Sequence, residues 1–321
     1  MADSELPLSD AFARDVIAGL RGRPKAIPSR WLYDQTGSEL FEDITGLPEY
    51  YLTRTETAIL TEHARDMAAE IGPDAVLVEY GAGAAVKTRI LLDALDRLAA
   101  YVPVDIADTF LQATARGVQA DYPGLDVVPI VADFMSADVL DGLPESGGRR
   151  VGFFPGSTVG NLTDAQIVDL LTHARRALGE EALFLMGADL KKDPGVLVPA
   201  YDDRQGVTAA FNLNLLTRIN TELDGDFDLA AFSHEARWNA PDGRIEMHLV
   251  SLRDQTVHVL GEAFRFEAGE SIHTEISRKF EPAALEALAG QAGWRTQRRW
   301  TDPDGYFSVI LLQEAGAALS P

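Results

Sequence analysis

The stretch "VEYGAGAAVKT", residues 78–88, decides how the chain is read. An apolar run, "AVLVEY" (75–80), gives way to two glycines, then to small residues, and then to Lys87 at the start of a helical pattern. Strand, glycine loop and helix in that order bring backbone close to a ligand at the end of a strand. A dinucleotide fingerprint would continue G-x-G-x-x-G. Here Gly81 and Gly83 fit, but the third position is Val86. A pyrophosphate cradle, and with it a nicotinamide dehydrogenase, is therefore disfavoured.

The same rhythm repeats outward from the loop. Strands are expected at 75–80, 101–105, 126–134, 150–156 and 181–190. Helices are expected at 87–98, 107–122 and 163–178, with a short helical turn after the third strand. Five apolar strands separated by helices imply a parallel sheet covered on both faces. Upstream, helices are expected at 8–22, 38–45 and 53–72. After "KKDPG" (191–195) the rhythm changes to a long helical region over 198–222. Antiparallel strands with a "PDG" turn follow, then a helix at 281–294 and two closing strands. The fold class is thus α/β: a Rossmann-like domain over 56–190 and 279–321, with a second, discontinuous α+β domain over 8–55 and 191–278.

Bulk properties narrow the function. The 321 residues are 46% hydrophobic, enough for a sizeable core, and carry 28 Lys+Arg against 50 Asp+Glu, a net charge of −22. That balance disfavours nucleic acid and anionic membrane surfaces as partners, since phosphate binding rests on cationic side chains. There is no cysteine, which excludes disulfides, thiolate catalysis and cysteine–zinc sites. The acidic N-terminus shows no secretory h-region, and no apolar run reaches membrane-spanning length. A cytoplasmic monomer is expected.

Methyltransferases that use S-adenosylmethionine (SAM) show a looser acidic-x-G-x-G pattern, because no phosphate has to be cradled. Glu79, Gly81 and Gly83 supply it. Asp105, at the end of the second strand, is placed to bind ribose hydroxyls. Asp133 and Phe134, at the end of the third, offer an acceptor for an adenine amino group and a ring to pack on its face. Lys87 either meets the cofactor's carboxylate or is a solvated helix start. The fourth strand runs into "FFPGSTVGNLT", where Asn161 offers both a donor and an acceptor and Thr163 caps the next helix. His234, His248 and His273 lack the paired short spacings of a zinc site and read as structural or exposed. No metal is expected.

Long, idiosyncratic stretches carry a resemblance beyond these motifs: "WLYDQTGSELFEDITGLPEYYLTRTE", "FFPGSTVGNLT", "AYDDRQGVTAAFNLNLL", "ARWN…RIEMHL" and "TEISRKF". Collinear over nearly the whole chain, they resemble the SAM-dependent histidine Nα-methyltransferase family of ergothioneine biosynthesis, which makes hercynine. The resemblance implies a SAM site that includes Gly81, Lys87, Asp105, Asp133 and Phe134. For the amino and carboxylate ends of an amino-acid substrate it implies Tyr50, Asn161 and Tyr201, with Tyr33 near the amino group. Met247, Glu275 and Ser277 would surround an imidazole. Asn161 and Tyr33 are the expected catalytic contacts. L-histidine and its mono- and dimethylated forms are the expected small-molecule partners. "EYGAG" departs slightly from the family's acidic-leucine-glycine form, with Tyr80 expected to face the strand end at no cost to binding.

Two other readings stay open from sequence: a methyltransferase for another amino acid or small amine, and a catalytically silent SAM-binding module. Glu275, Ser277 and Met247 favour an imidazole against the first, and Asn161 with the two pocket tyrosines favours turnover against the second.

Overall fold

The computed structural model of the chain describes residues 8–136, 143–144 and 148–316. It divides into two compact units, Tyr51–Lys192 with Arg278–Pro321, and Met1–Tyr50 with Asp193–Ser277.

The first unit is built on one sheet. Its strands lie in the order Trp294–Thr301, Phe307–Glu314, Leu183–Asp189, Arg150–Phe154, Val76–Tyr80, Ala100–Asp105 and Asp126–Val127, with Ile130–Val131 also paired to Ala100–Asp105. Neighbours are parallel from Leu183–Asp189 through Asp126–Val127. Phe307–Glu314 alone runs against both its neighbours. The central strands are continuous apolar runs because helices cover both faces. "VLVEY" and "LFLMGAD" are buried at every position. Their side chains pack with Phe154, Phe184, Trp294 and Ile310 and with the inner faces of helices Asp164–Leu178 and Pro282–Gln291. Thr163 caps the first of these helices in a full capping box with Gln166.

Two local expectations change. The third strand, expected over 126–134, is split into Asp126–Val127 and Ile130–Val131. Pro129 between them has no N–H for the ladder, and Asp133 and Phe134 fall in the turn that follows. The helical turn expected next runs into 137–142, outside the described residues. The helix expected over 87–98 spans Val86–Ala94.

At the end of the strand Leu183–Asp189 the sheet buries a charged group. Asp189 accepts from the Tyr51 phenol at 2.6 Å and the Lys192 ammonium at 2.6 Å, and pairs with the fully buried Lys279 at 2.9 Å. Removing one member of such a cluster leaves the others uncompensated, which typically costs about 3–5 kcal/mol.

The second unit pairs a small mixed sheet with helices. The sheet order is Lys25–Ala26, Ser271–Arg278, Arg244–Ser251 and Phe232–Asn239, and a hairpin of Gln255–Val259 and Glu262–Phe266 stands beside it. Helix Leu8–Arg21 buries Phe12, Val16 and Leu20, one stripe at helical spacing. Helix Val207–Glu222 packs on helix Gln35–Thr45 and on the strand Phe232–Asn239.

The long helix expected over 198–222 is interrupted. A short helix Pro194–Leu197 and a 3-10 turn Val198–Ala200 lead to Tyr201, and helix Val207–Glu222 begins only after Gly206 at φ 76°. Asp203 makes the break: its carboxylate accepts from the backbone N–H groups of Gln205, Val207 and Thr208. Among the described residues no helix is long and apolar enough to cross a membrane.

Candidate active site

In the sheet unit, the loop after Val76–Tyr80 turns on Gly81 at φ 73° and Gly83 at φ 49°, backbone conformations that favour glycine. The N–H groups of Gly81 and Ala82 both point to the carbonyl of Val104 on the neighbouring strand, at 2.8 and 3.2 Å. Asp105, one residue on, accepts from Gly83 N–H at 3.2 Å and Ala107 N–H at 3.0 Å. Burial raises its pKa, and the N–H donors of Ala107 and Gly83 pull the other way. A carboxylate has about four acceptor positions, so hydroxyl donors can add to these two bonds. The Asp133 carboxylate accepts from Met135 N–H at 2.9 Å. The Phe134 ring lies against Gly81 and packs edge-on to Phe154, with centroids 5.4 Å apart.

Glu79 and Lys87 are tied to neighbouring elements. Glu79 is buried, and both its oxygens are engaged by the Thr88 hydroxyl, at 2.7 and 2.6 Å, and by the Tyr101 phenol. It clamps the helix start to two strands from behind the glycines. Burial lifts its pKa to about 7, with the Thr88 and Tyr101 hydrogen bonds opposing. Lys87 is largely enclosed rather than solvated and pairs with buried Glu56 at 2.6 Å. Glu56 also accepts from Gly156 N–H, at 3.0 and 2.8 Å. A β-carbon on Gly187 would lie 2.0 Å from the Glu56 carboxylate, so "LFLMGAD" needs its glycine there. Tyr80, expected to face the strand end, is instead packed in the core against Phe184 and Phe154, with centroids 5.4 and 6.1 Å away. Asn161 ends the turn Thr158–Asn161 beyond the strand Arg150–Phe154, a turn entered through Gly156 at φ 81° and Ser157 at φ 58°.

The second unit gathers the other set of expected residues. Tyr201 and Ser277 share a hydroxyl–hydroxyl hydrogen bond of 2.7 Å. The rings of Tyr50 and Tyr201 meet edge-on at 6.0 Å. Tyr33, expected near the amino group of a substrate, donates its phenol to Glu275 Oε1 at 3.3 Å. Burial, then the Glu275 carboxylate and the Tyr50 phenol, push Tyr33 well above the ordinary tyrosine range, so it keeps its proton and donates. Met247 is buried, and its carbonyl accepts from the Thr274 hydroxyl at 3.1 Å.

Glu275 and Ser277 owe their inward direction to a break in strand alternation. Along Ser271–Arg278 the pattern alternates until Thr274 and Glu275, which are buried in succession. The phase inverts there, leaving His273 on one side and Glu275 and Ser277 on the other. Sequence reasoning missed the shell around these residues. Phe41 and Phe211 pack edge-on and tilted against Tyr33 and each other, with centroids 5.4–6.1 Å apart. Asn212, fully buried, donates to His234 Nδ1 at 2.9 Å and accepts from Thr274 at 2.7 Å. "TAAFNLN" does carry a signal: a polar asparagine on the buried stripe of an apolar helix.

A doubly wound parallel sheet with one inverted strand carries, at its strand ends, a glycine loop closed by an acidic residue, where such sheets bind ligands, and the chain is a SAM-dependent methyltransferase. A model of the histidine-specific, SAM-dependent methyltransferase family matches residues 12–314, and the chain belongs to that family. It is 44% identical over 308 residues to histidine N-alpha-methyltransferase of Mycolicibacterium smegmatis, covering 94% of this chain and 95% of the relative. It is 45% identical over 306 residues to the protein of the same name from Mycobacterium tuberculosis, covering 94% of each. Ergothioneine biosynthesis protein 1 of Neurospora crassa is 30% identical over 300 residues, 90% of this chain and 33% of the larger fungal protein.

Proposed function

We propose that the protein transfers methyl groups from SAM to the α-amino group of L-histidine, three times in succession, giving hercynine for ergothioneine biosynthesis. The observation that carries this reading is the convergence of buried Glu275, Ser277 and Tyr201 with half-buried Tyr33 in a chain of the histidine-specific family. A neutral imidazole offers one N–H and one lone pair. Glu275 accepts from the N–H, and the Ser277 hydroxyl serves the other nitrogen. Tyr33 holds the Glu275 carboxylate in place. Tyr50 and Tyr201 take the substrate carboxylate through their hydroxyls. A side chain that cannot complete these bonds leaves buried polar groups unpaired and is rejected.

The cofactor is assigned to the sheet unit: Asp105 for the ribose hydroxyls, Asp133 and Phe134 for the adenine, and the backbone at Gly81 and Gly83 for close approach. Glu79 and Lys87 brace this loop through Thr88, Tyr101 and Glu56. When bound, SAM would supply an electrophilic sulfonium methyl: the neutral amine would bond to the methyl carbon in line, and the C–S bond would break with its electron pair leaving on S-adenosylhomocysteine. That chemistry calls for no redox change and no Lewis acid. Asn161 is assigned to the α-amino group, where its amide can accept from N–H early and flank methyl groups later. An α-amine is mostly protonated near neutral pH, so the reactive form is the deprotonated minority, and orientation is the main catalytic contribution.

The test is incubation of enzyme and SAM with each of the twenty amino acids, scored by mass. Histidine should gain up to three methyl groups. Preference for another amino acid would move the substrate assignment, and no turnover with any would leave a binding module.

A further inference from the structure

The face of the small sheet that carries His273 holds a second cluster. Glu246, His248 and His273 each present a ligand-type atom, and these atoms lie within 4.8 Å of one another. Two come from the strand Arg244–Ser251, two residues apart and so on the same face. The third comes from the adjoining strand Ser271–Arg278. The spacing of the histidines in sequence gave no sign of this, because strand pairing makes the cluster.

We propose that Glu246, His248 and His273 form a binding site for a borderline divalent transition-metal ion of the zinc class, separate from the methyl-transfer chemistry. Glu246 Oε2 and His248 Nε2 are 3.3 Å apart, close to the roughly 3.4 Å edge of a tetrahedron with bonds of about 2.1 Å. Each ligand is oriented from behind, as metal ligands are. His248 Nδ1 meets the Ser271 hydroxyl at 3.1 Å, and His273 Nε2 donates to the carbonyl of Glu275 at 3.0 Å. That leaves His248 Nε2 and His273 Nδ1 as the inward nitrogens. Glu246 Oε1 is fixed by Asn239 at 2.9 Å and by the Arg244 guanidinium at 2.7 Å. Three protein ligands leave one tetrahedral position to water.

The surrounding charges allow a cation. Arg237, directly across from Glu246 in the register, is paired with Glu235 at 2.7 Å, and Arg244 also pairs with Asp242 at 3.1 Å. Two arginines thus face three carboxylates, Glu235, Asp242 and Glu246. The imidazoles stack at 25° with centroids 5.0 Å apart. An ion on His273 fixes the ring whose other nitrogen holds the Glu275 carbonyl, and so pins the strand where its alternation inverts.

The experiment uses the untagged full chain, stripped with a chelator and studied without histidine, which itself binds zinc. Zinc and cobalt(II) are titrated by calorimetry and by visible absorption of the cobalt form. One ion per chain is expected, and zinc should shift the imidazole NMR signals of His248 and His273. Ser271→Ala, which keeps every ligand, should weaken binding by roughly 10–100-fold, and His248→Ala or His273→Ala should abolish it. Absence of saturable binding by the native chain overturns the site, whether or not the variants fold. So does zinc that shifts only His63, His173, His234 or His258, or binding kept by the folded double variant of His248 and His273.

Discussion

His234 Nε2 lies 2.7 Å from the backbone carbonyl of Tyr201. Its other nitrogen faces the Asn212 amide, which can only donate, so Nδ1 accepts and Nε2 carries the proton that Tyr201 receives. Burial lowers the pKa of His234 and keeps the ring neutral. Helix, sheet strand and the segment bearing Tyr201 are thereby tied at one point. His234→Phe keeps the ring volume and leaves the buried Asn212 donor without this partner. A lost bond of this kind costs about 1–3 kcal/mol. Histidine KM should rise by roughly tenfold or more on that scale, with SAM affinity by calorimetry unchanged. An unaltered KM would separate Tyr201 placement from this network.

Asp203 predicts how stability responds to acid. Burial raises its pKa, but the hydrogen bonds from Thr208, Val207 and Gln205 outweigh burial and hold it below the ordinary aspartate value. The folded pKa therefore lies below the unfolded one. Its stabilising contribution is complete above the unfolded value of about 3.9 and disappears as pH falls through the folded value. Denaturant melts of wild type and Asp203→Ala should differ by about 0.5–2 kcal/mol near neutral pH, the scale of a helix cap, and converge in acid. A difference that stays constant with pH would mean the carboxylate charge is not what holds the turn.

Asp105 tests the cofactor assignment. Its carboxylate already carries the Gly83 and Ala107 N–H groups, so a ligand that adds hydroxyls finds an acceptor fixed in place. Asp105→Asn keeps one oxygen and loses the charge, and Asp105→Ala loses both. SAM affinity should fall in the order wild type, Asn, Ala, with the far-UV spectrum preserved. Equal affinity across the three would remove Asp105 from the cofactor site.

How much of this was legible depended on whether local chemistry or tertiary pairing made the feature. The glycine loop, the buried parallel strands and the Thr163 cap are written in consecutive residues, and they stand where periodicity puts them. Pro129 splits a strand that apolar content alone makes continuous, and Asp203 breaks a helix whose apolar period runs straight through it. Side-chain hydrogen bonding to backbone decided the second case, and "DDRQG" is turn chemistry in retrospect. The inward direction of Glu275 rests on one inversion of strand phase, which no alternation pattern announces. The Glu246, His248 and His273 group, like the buried Asp189 with Lys192 and Lys279, exists only because separate segments are brought together.

In the proposed function, selectivity rests on Glu275. It is buried, its Oε1 accepts a hydrogen bond from the Tyr33 phenol at 3.3 Å, and Ser277, on the same side of the strand, is bonded to Tyr201. A hydrogen bond between an imidazole N–H and such a carboxylate contributes about 1.5–3 kcal/mol, or roughly one to two decades in kcat/KM. Glu275→Leu should raise histidine KM by that order and leave SAM binding nearly unchanged, because the glycine loop and Asp105 are untouched. It should also relax the rejection of apolar and indole side chains, since no buried carboxylate is then left without a partner. Tyr33→Phe should give a smaller change in the same direction, as it loosens Glu275 without removing it. If Glu275→Leu retains wild-type kcat/KM for histidine while its thermal melt is intact, Glu275 does not read the substrate. The imidazole would then have to be recognised elsewhere, and the assignment of Ser277 and Tyr33 would fall with it.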